Sequence, residues 1–231
     1  MMKKLLLPMA WAIILIMVSC NPKKSEIIAI DVLLTLPDEM YAQAIHLNQL
    51  MLGDYPESIK LDENHIPHIT LLQCFVDKKD ISTIGESLED LFSMVKNEAL
   101  TAQEFVYSQD TDESFAMIRI ENTKALLNIH QKTIELLKPF MVKNGTSASF
   151  VQNPDGSPIN EFTLAYVPRF VDSYSRENFD PHISLGVART EFLNTLATYV
   201  FQPMVFKPAS LSVYWLGDSG TAQKLLWKEK Q

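Results

Sequence analysis

Pro67-His68-Ile69-Thr70-Leu71 and Pro181-His182-Ile183-Ser184-Leu185 are two near-copies of one pentapeptide, their histidines 114 residues apart. Each is rich in β-branched and apolar residues and reads as a strand. Alternate side chains of a strand share a face, so His68 points with Thr70 and His182 with Ser184. Ile69, Leu71, Ile183 and Leu185 then point into the core. Each copy offers one titratable ring and one hydroxyl to a common surface, and two copies offer two of each to a shared cleft.

Working outward, Ile27 to Leu36 reads as a first strand, and Pro37 with Asp38 opens a helix to about Met51 with Asp38 as its cap. The first motif strand runs from Ile66 to Val76. Asp80 then caps a helix in which Ile81, Ile84, Leu88, Leu91, Phe92 and Val95 recur at three-and-four spacing. Strands follow near Gln103 to Ser108 and Ser114 to Ile120. The latter places Phe115, Met117 and Arg119 on one face and Ala116, Ile118 and Ile120 on the other. A helix from Asn122 to about Val142, a loop over residues 144–158 and a partly helical stretch from Phe162 to Val171 lead to the second motif strand. Glu191 to Val200 reads as a helix, and Ser210 to Leu216 with Gln223 to Lys228 as a hairpin turning at residues 217–220. The pattern is α+β. Both motif strands precede a helix, which suggests a weak internal repeat, and nothing marks a second independent domain.

The N-terminus has the form of a targeting segment. Lys3 and Lys4 precede an apolar run from Leu5 to Val18 that ends at Met17-Val18-Ser19-Cys20. The run is shorter than the roughly 20 apolar residues of a spanning helix, and its end resembles the bacterial lipobox, with Met17 in place of the usual Leu. The expected division is a lipoprotein signal peptide over residues 1–19, a lipidated Cys20 with its linker over 20–26, and one domain over 27–231. A membrane-anchored, extracytoplasmic protein follows, on the periplasmic or cell-surface side. Loss of Lys3 and Lys4 takes the formal net charge from −8 to −10, which argues against a long nucleic acid as partner. Cys74 would be the only other cysteine, so no intrachain disulfide between free thiols is expected.

Histidine titrates near neutrality, so a pair can act as acid and base in one turnover. A phosphodiester suits that pair: one ring takes a proton from the attacking water, and the other gives a proton to the departing oxygen. Hydroxyls such as Thr70 and Ser184 can hold the nonbridging oxygens. In-line displacement needs base and acid on opposite sides of phosphorus, which two separate strands can supply.

His68-Ile69-Thr70-Leu71 and His182-Ile183-Ser184-Leu185 resemble the paired motifs of the two-histidine (2H) phosphoesterase superfamily, which includes the 2'-5' RNA ligase-like proteins and RNA 2',3'-cyclic phosphodiesterases. The resemblance covers roughly Ile27 to Lys228. It implies a bilobed, pseudo-twofold α+β fold with antiparallel sheets flanking a central cleft and helices outside. It implies catalytic roles for His68 and His182, phosphate-binding roles for Thr70 and Ser184, and no metal or nucleotide cofactor. The implied reaction is hydrolysis of a 2',3'-cyclic phosphate on a nucleotide or short RNA end, with no obligate protein partner. Ser184 stands where the first motif has Thr, and both hydroxyls can donate.

Two other classes compete. A noncatalytic lipoprotein would bind a phosphorylated ligand in the same cleft. A zinc enzyme would use His65, His68 and His182, although Pro67 works against helical spacing and no HExxH or Cys-rich set is present. His65 is expected at the rim, and His46 and His130 on helices at surface or boundary positions. GxxxxGK[ST] and GxSxG motifs are missing from the sequence. Arg119, Arg169, Arg189, Tyr166, Tyr214 and Trp215 are not assigned to the site.

Overall fold

A computed structural model of the chain describes residues 25–230. The expected signal peptide over residues 1–19 and the expected lipidation site Cys20 lie outside the described residues. β1 (Ile27–Thr35) leads through α1 (Asp38–Asp54) to β2 (His68–Asp77), then α2 (Ile81–Leu88), β3 (Leu100–Val106) and β4 (Glu113–Ile120). α3 (Lys124–Leu137), β5 (Met141–Val142), α4 (Glu161–Tyr166) and α5 (Phe170–Ser173) precede β6 (His182–Arg189). α6 (Thr190–Tyr199), β7 (Met204–Phe206), β8 (Ser210–Leu216) and β9 (Ala222–Lys228) complete the chain. The strands form two antiparallel sheets, in the orders β5-β2-β1-β8-β9 and β6-β4-β3-β7.

The halves are related by a pseudo-twofold. β1, α1, β2, α2 and β3 correspond in order to β4, α3, β6, α6 and β8. The last strand of each half crosses to the other sheet: β3 pairs with β4, and β8 pairs with β1. Each motif strand pairs with the first strand of its own half, and β5 of the second half adds at the outer edge of β2. The fold is α+β, with two antiparallel sheets and helices packed against them.

Sequence alternation alone predicts the buried residues of the motifs. Ile69, Leu71, Ile183 and Leu185 are fully buried in one apolar cluster with Ile28, Ile30, Val32 and Leu34 of β1. At roughly 2 kcal/mol for each fully buried aliphatic side chain, these contacts anchor both motif strands.

What alternation does not show is that both motifs end in a β-bulge. Val32 pairs with Leu72 and Leu33 with Thr70, leaving Leu71 as the extra residue. Ala116 pairs with Gly186 and Met117 with Ser184, leaving Leu185 extra. A bulge leaves its extra residue outside the ladder, and a buried carbonyl there requires a partner. Each finds one on a helix of the opposite half. The Nδ1–H of His130 in α3 donates to Leu71 O at 2.7 Å, and Asn48 Nδ2 in α1 donates to Leu185 O at 2.7 Å. Asn48 also donates to Ile59 O at 2.8 Å and accepts from Leu61 N at 2.9 Å, so its whole amide is used.

His130 therefore corrects the expectation of a surface position: it is fully buried. Its Nε2 accepts from the Arg176 N–H at 3.2 Å, and its ring stacks on Phe179 at 3.9 Å. His46 is exposed as expected.

Other boundaries move for local reasons. Pro37, in extended conformation, holds the position before α1, with Asp38 inside the first turn. The expected helix from Asp80 is α2 followed by a 3-10 turn at Leu91–Met94, with Ile84, Leu88, Leu91, Phe92 and Val95 all still buried. α3 starts after Thr123, whose hydroxyl accepts from Leu126 N, and ends before Pro139, which has no N–H to continue the ladder. Met141 and Val142, expected as helix, instead pair with Val76 and Phe75 at the sheet edge. β7 also escaped the sequence reading, being a three-residue edge strand between Pro203 and Pro208.

Candidate active site

His68 opens β2 and His182 opens β6. Each ring is fixed by the same short-range contact. His68 Nδ1 lies 2.7 Å from Ile66 O, and His182 Nδ1 lies 2.7 Å from Asp180 O. A nitrogen facing a carbonyl must carry the proton, so Nδ1 is the donor in both rings and Nε2 is left for chemistry. The prolines between, Pro67 and Pro181, keep those backbones extended, which brings the carbonyl two residues back under the ring.

The structure brings both motif strands together, with β2 and β6 in contact. Ser184 is exposed, and its hydroxyl has no protein partner among the described residues. Thr70 differs. Its hydroxyl donates to Asp31 Oδ2 at 2.8 Å, so its single proton is already committed within the protein.

Asp31 is the residue that the sequence reading passed over. It lies on β1 with no exposed surface and accepts at Oδ2 from Gln73 Nε2 at 2.8 Å as well as from Thr70. The same oxygen is 3.4 Å from His68 Nε2. Its other oxygen, Oδ1, is buried without a hydrogen-bond partner. The bulge at Leu71 makes the cluster possible: it resets the alternation of β2, so Gln73 shares the face of His68 and Thr70. The readable signal was a carboxylate in the middle of an otherwise apolar strand.

The two rings sit in different electrostatic surroundings. Burial pulls His68 down, but the adjoining Asp31 carboxylate and the Ile66 carbonyl outweigh it, and the ring titrates above the ordinary histidine value. Burial pulls His182 below that value, against the Asp180 carbonyl and carboxylate, with His68 and Arg119 adding to the depression. Burial raises the Tyr166 hydroxyl and the Cys74 thiol, and Asp31 adds to both, so both stay neutral around neutrality.

The unassigned arginines are all occupied. Arg119 donates to Glu104 at 2.8 Å and to Asp180 at 3.1 Å, Arg169 donates to Ala165 O, and Arg189 pairs with Asp54. Of these, Arg119 is beside the site, paired across the sheet with His182. His65 lies in the turn before β2, in contact with Gln223 at 3.1 Å and with Asp62 at 3.7 Å. Among the described residues, no group of three or more His, Cys, Asp or Glu side chains is gathered where it could hold a metal ion. Also among them, no helix is long and apolar enough to cross a membrane.

Solved structures with similar backbones include TT0787 of Thermus thermophilus, at 13% identity and a TM-score of 0.48, over 87% of this chain and 97% of that one. E. coli LigT complexed with 3'-AMP is similar at 14% identity and a TM-score of 0.41, over 90% and 100%. Kluyveromyces marxianus Usb1 is similar at 11% identity and a TM-score of 0.37, over 87% and 98%. No family model and no curated protein matches the chain. The functional reading therefore rests on the residues of the site.

Proposed function

We propose that the chain is a two-histidine phosphodiesterase that hydrolyses 2',3'-cyclic phosphates on nucleotides or short RNA ends without a metal. One observation carries this reading: two imidazoles with Nδ1 tied to the backbone, at the starts of strands that meet from opposite halves of the fold. That arrangement frees two Nε2 atoms for proton transfer on either side of one phosphorus, as in-line displacement requires. Water forms the new P–O bond and gives up a proton to one ring. The P–O bond to the ribose oxygen breaks as that oxygen takes a proton from the other ring. Ser184, with its hydroxyl free, donates to a nonbridging oxygen.

The lipobox-like run ending at Cys20 supports an extracytoplasmic, membrane-anchored setting as part of the same proposal. The reading is tested by offering the full-length chain a panel of 2',3'-cyclic nucleotides and cyclic-phosphate RNA ends in the presence of a chelator. Hydrolysis to a monophosphate supports it. Binding without turnover would instead mark a noncatalytic phosphate-binding protein.

A further inference from the structure

The pseudo-twofold gives an internal control for what each motif lacks. His68 and His182 share the Nδ1 contact, and Leu71 and Leu185 share the bulge. Thr70 is paired with Leu33 of β1 and Ser184 with Met117 of β4. Two residues earlier on those partner strands the correspondence fails. β1 carries Asp31, paired with Gln73, where β4 carries Phe115, paired with Val187. A buried carboxylate therefore faces the first motif, and an aromatic ring occupies the matching place beside the second.

The geometry at His68 calls for a proton on its Nε2 whenever Asp31 is ionised. Nδ1 donates to Ile66 O, so in a neutral ring Nε2 would turn a lone pair toward Asp31 Oδ2 at 3.4 Å. A proton on Nε2 removes that repulsion and gives the buried carboxylate a charged partner. The remaining groups around Asp31 are neutral donors, Thr70 and Gln73, and the neutral Cys74 and Tyr166. His182 meets a different set. The carboxylate of Asp180 is turned onto Arg119, which Glu104 also holds, and the other charge that reaches the ring is His68 itself.

We propose that Asp31 divides the labour between the two histidines, holding His68 protonated as the proton donor to the leaving oxygen and leaving His182 to take the proton from water. Asp31 makes no contact with substrate in this scheme; it acts through the His68 ring, beside Nε2, and is a positioning residue. The proton count closes: His68 ends neutral, His182 ends protonated, and exchange with solvent resets both. The direction of the shifts described for the two rings agrees with this order. The proposal rests on the phosphodiesterase reading for its catalytic consequence, but the protonation order stands apart from it.

The test is histidine-selective NMR titration of the full-length chain, with the five imidazoles assigned by single substitutions. His68 titrates above His182 in the unsubstituted chain, a comparison that does not depend on the folding of Asp31→Asn. Asp31→Asn lowers the His68 midpoint by about one pH unit or more, the size expected for loss of an adjoining carboxylate, and leaves His182 within a few tenths. His68 titrating at or below His182, or unmoved by Asp31→Asn, overturns the proposal. In the pH dependence of kcat/KM, Asp31→Asn draws the alkaline limb to lower pH and leaves the acid limb in place. A chain that shows this titration order but cleaves no phosphodiester refutes the functional reading alone. A chain that cleaves with the order reversed refutes the role of Asp31 alone.

Discussion

His68 and His182 hold their rings by one and the same device, an Nδ1–H donated over 2.7 Å to the carbonyl two residues back, although 114 residues separate them. The device belongs to the Pro-His pair at the start of each motif strand. Both partners of each contact lie within three consecutive residues. What the fold adds is the meeting of the two strands and the unequal surroundings of the two rings.

Those unequal surroundings predict unequal hydroxyls. Ser184→Ala removes a donor with no other partner and is expected to lower kcat by about 10²-fold to 10³-fold, the usual cost of one transition-state donor. Thr70→Ala removes a hydroxyl whose proton goes to Asp31, so its cost in kcat is smaller and Thr70→Ser restores the loss. Steady-state kinetics on the best cyclic substrate checks both; equal losses would show that Thr70 turns from Asp31 to the phosphate.

His130 and Asn48 form a matched pair of clamps on the bulged carbonyls of Leu71 and Leu185. Truncating either to Ala leaves a buried carbonyl without its donor and a cavity beside it, which costs about 3 kcal/mol. Denaturant unfolding measures this. His46→Ala, on the exposed face of α1, is the control and changes stability by less than about 0.5 kcal/mol.

The state of His130 gives stability a pH dependence. Its Nδ1 faces a carbonyl and its Nε2 faces an N–H, so the folded protein holds it neutral, and burial keeps it below the ordinary histidine value against the pull of the Leu71 carbonyl. A depressed folded value means that the unfolded chain binds the proton more readily. The contribution is therefore complete above the unfolded value of about 6.5 and is lost as pH falls through the folded value. His68, with its folded value raised, has the opposite sign: its contribution is complete below about 6.5 and is lost as pH rises through the folded value. Unfolding midpoints collected from pH 5 to 8 should lose part of their acid-side slope in His130→Gln; an unchanged slope would place that titration elsewhere.

Gly186 follows the second bulge at φ +116°, a backbone conformation open to glycine, and the Ser58 hydroxyl stands 2.5 Å from where a Cβ would be built. That hydroxyl accepts from Val187 N at 2.7 Å. Gly186→Ala is expected to destabilise the chain by about 2 kcal/mol through backbone strain and displacement of Ser58. Ser58→Ala relieves the crowding but not the strain, so the double variant should recover only part of the loss in thermal unfolding.

The sequence carried the motif strands, their buried leucines and isoleucines and the α+β order because those depend on local alternation and period. The bulges were invisible, since an extra residue in a ladder is set by the partner strand. With them went Gln73 and Asp31, whose meeting depends on the reset alternation. His130 was legible in principle: it lies on the stripe of Leu126, Thr133, Ile134 and Leu137, three and four residues apart. Its polarity suggested a surface, yet a buried helix face accepts a polar ring where a bulged carbonyl needs a donor. β5 and β7 are too short for any period and exist only through their pairing.

The central claim is that His68 and His182 act as one unit on one phosphodiester. It is tested most directly by comparing the turnover of a 2',3'-cyclic nucleotide, with chelator present, by the unsubstituted chain, His68→Ala, His182→Ala and the double variant. Residues of one proton-transfer unit are not additive. Each single variant is therefore predicted to fall by about 10²-fold to 10⁴-fold, and the double variant to fall no further than the worse single. A single variant that retains full turnover, or losses that multiply in the double, would contradict the account.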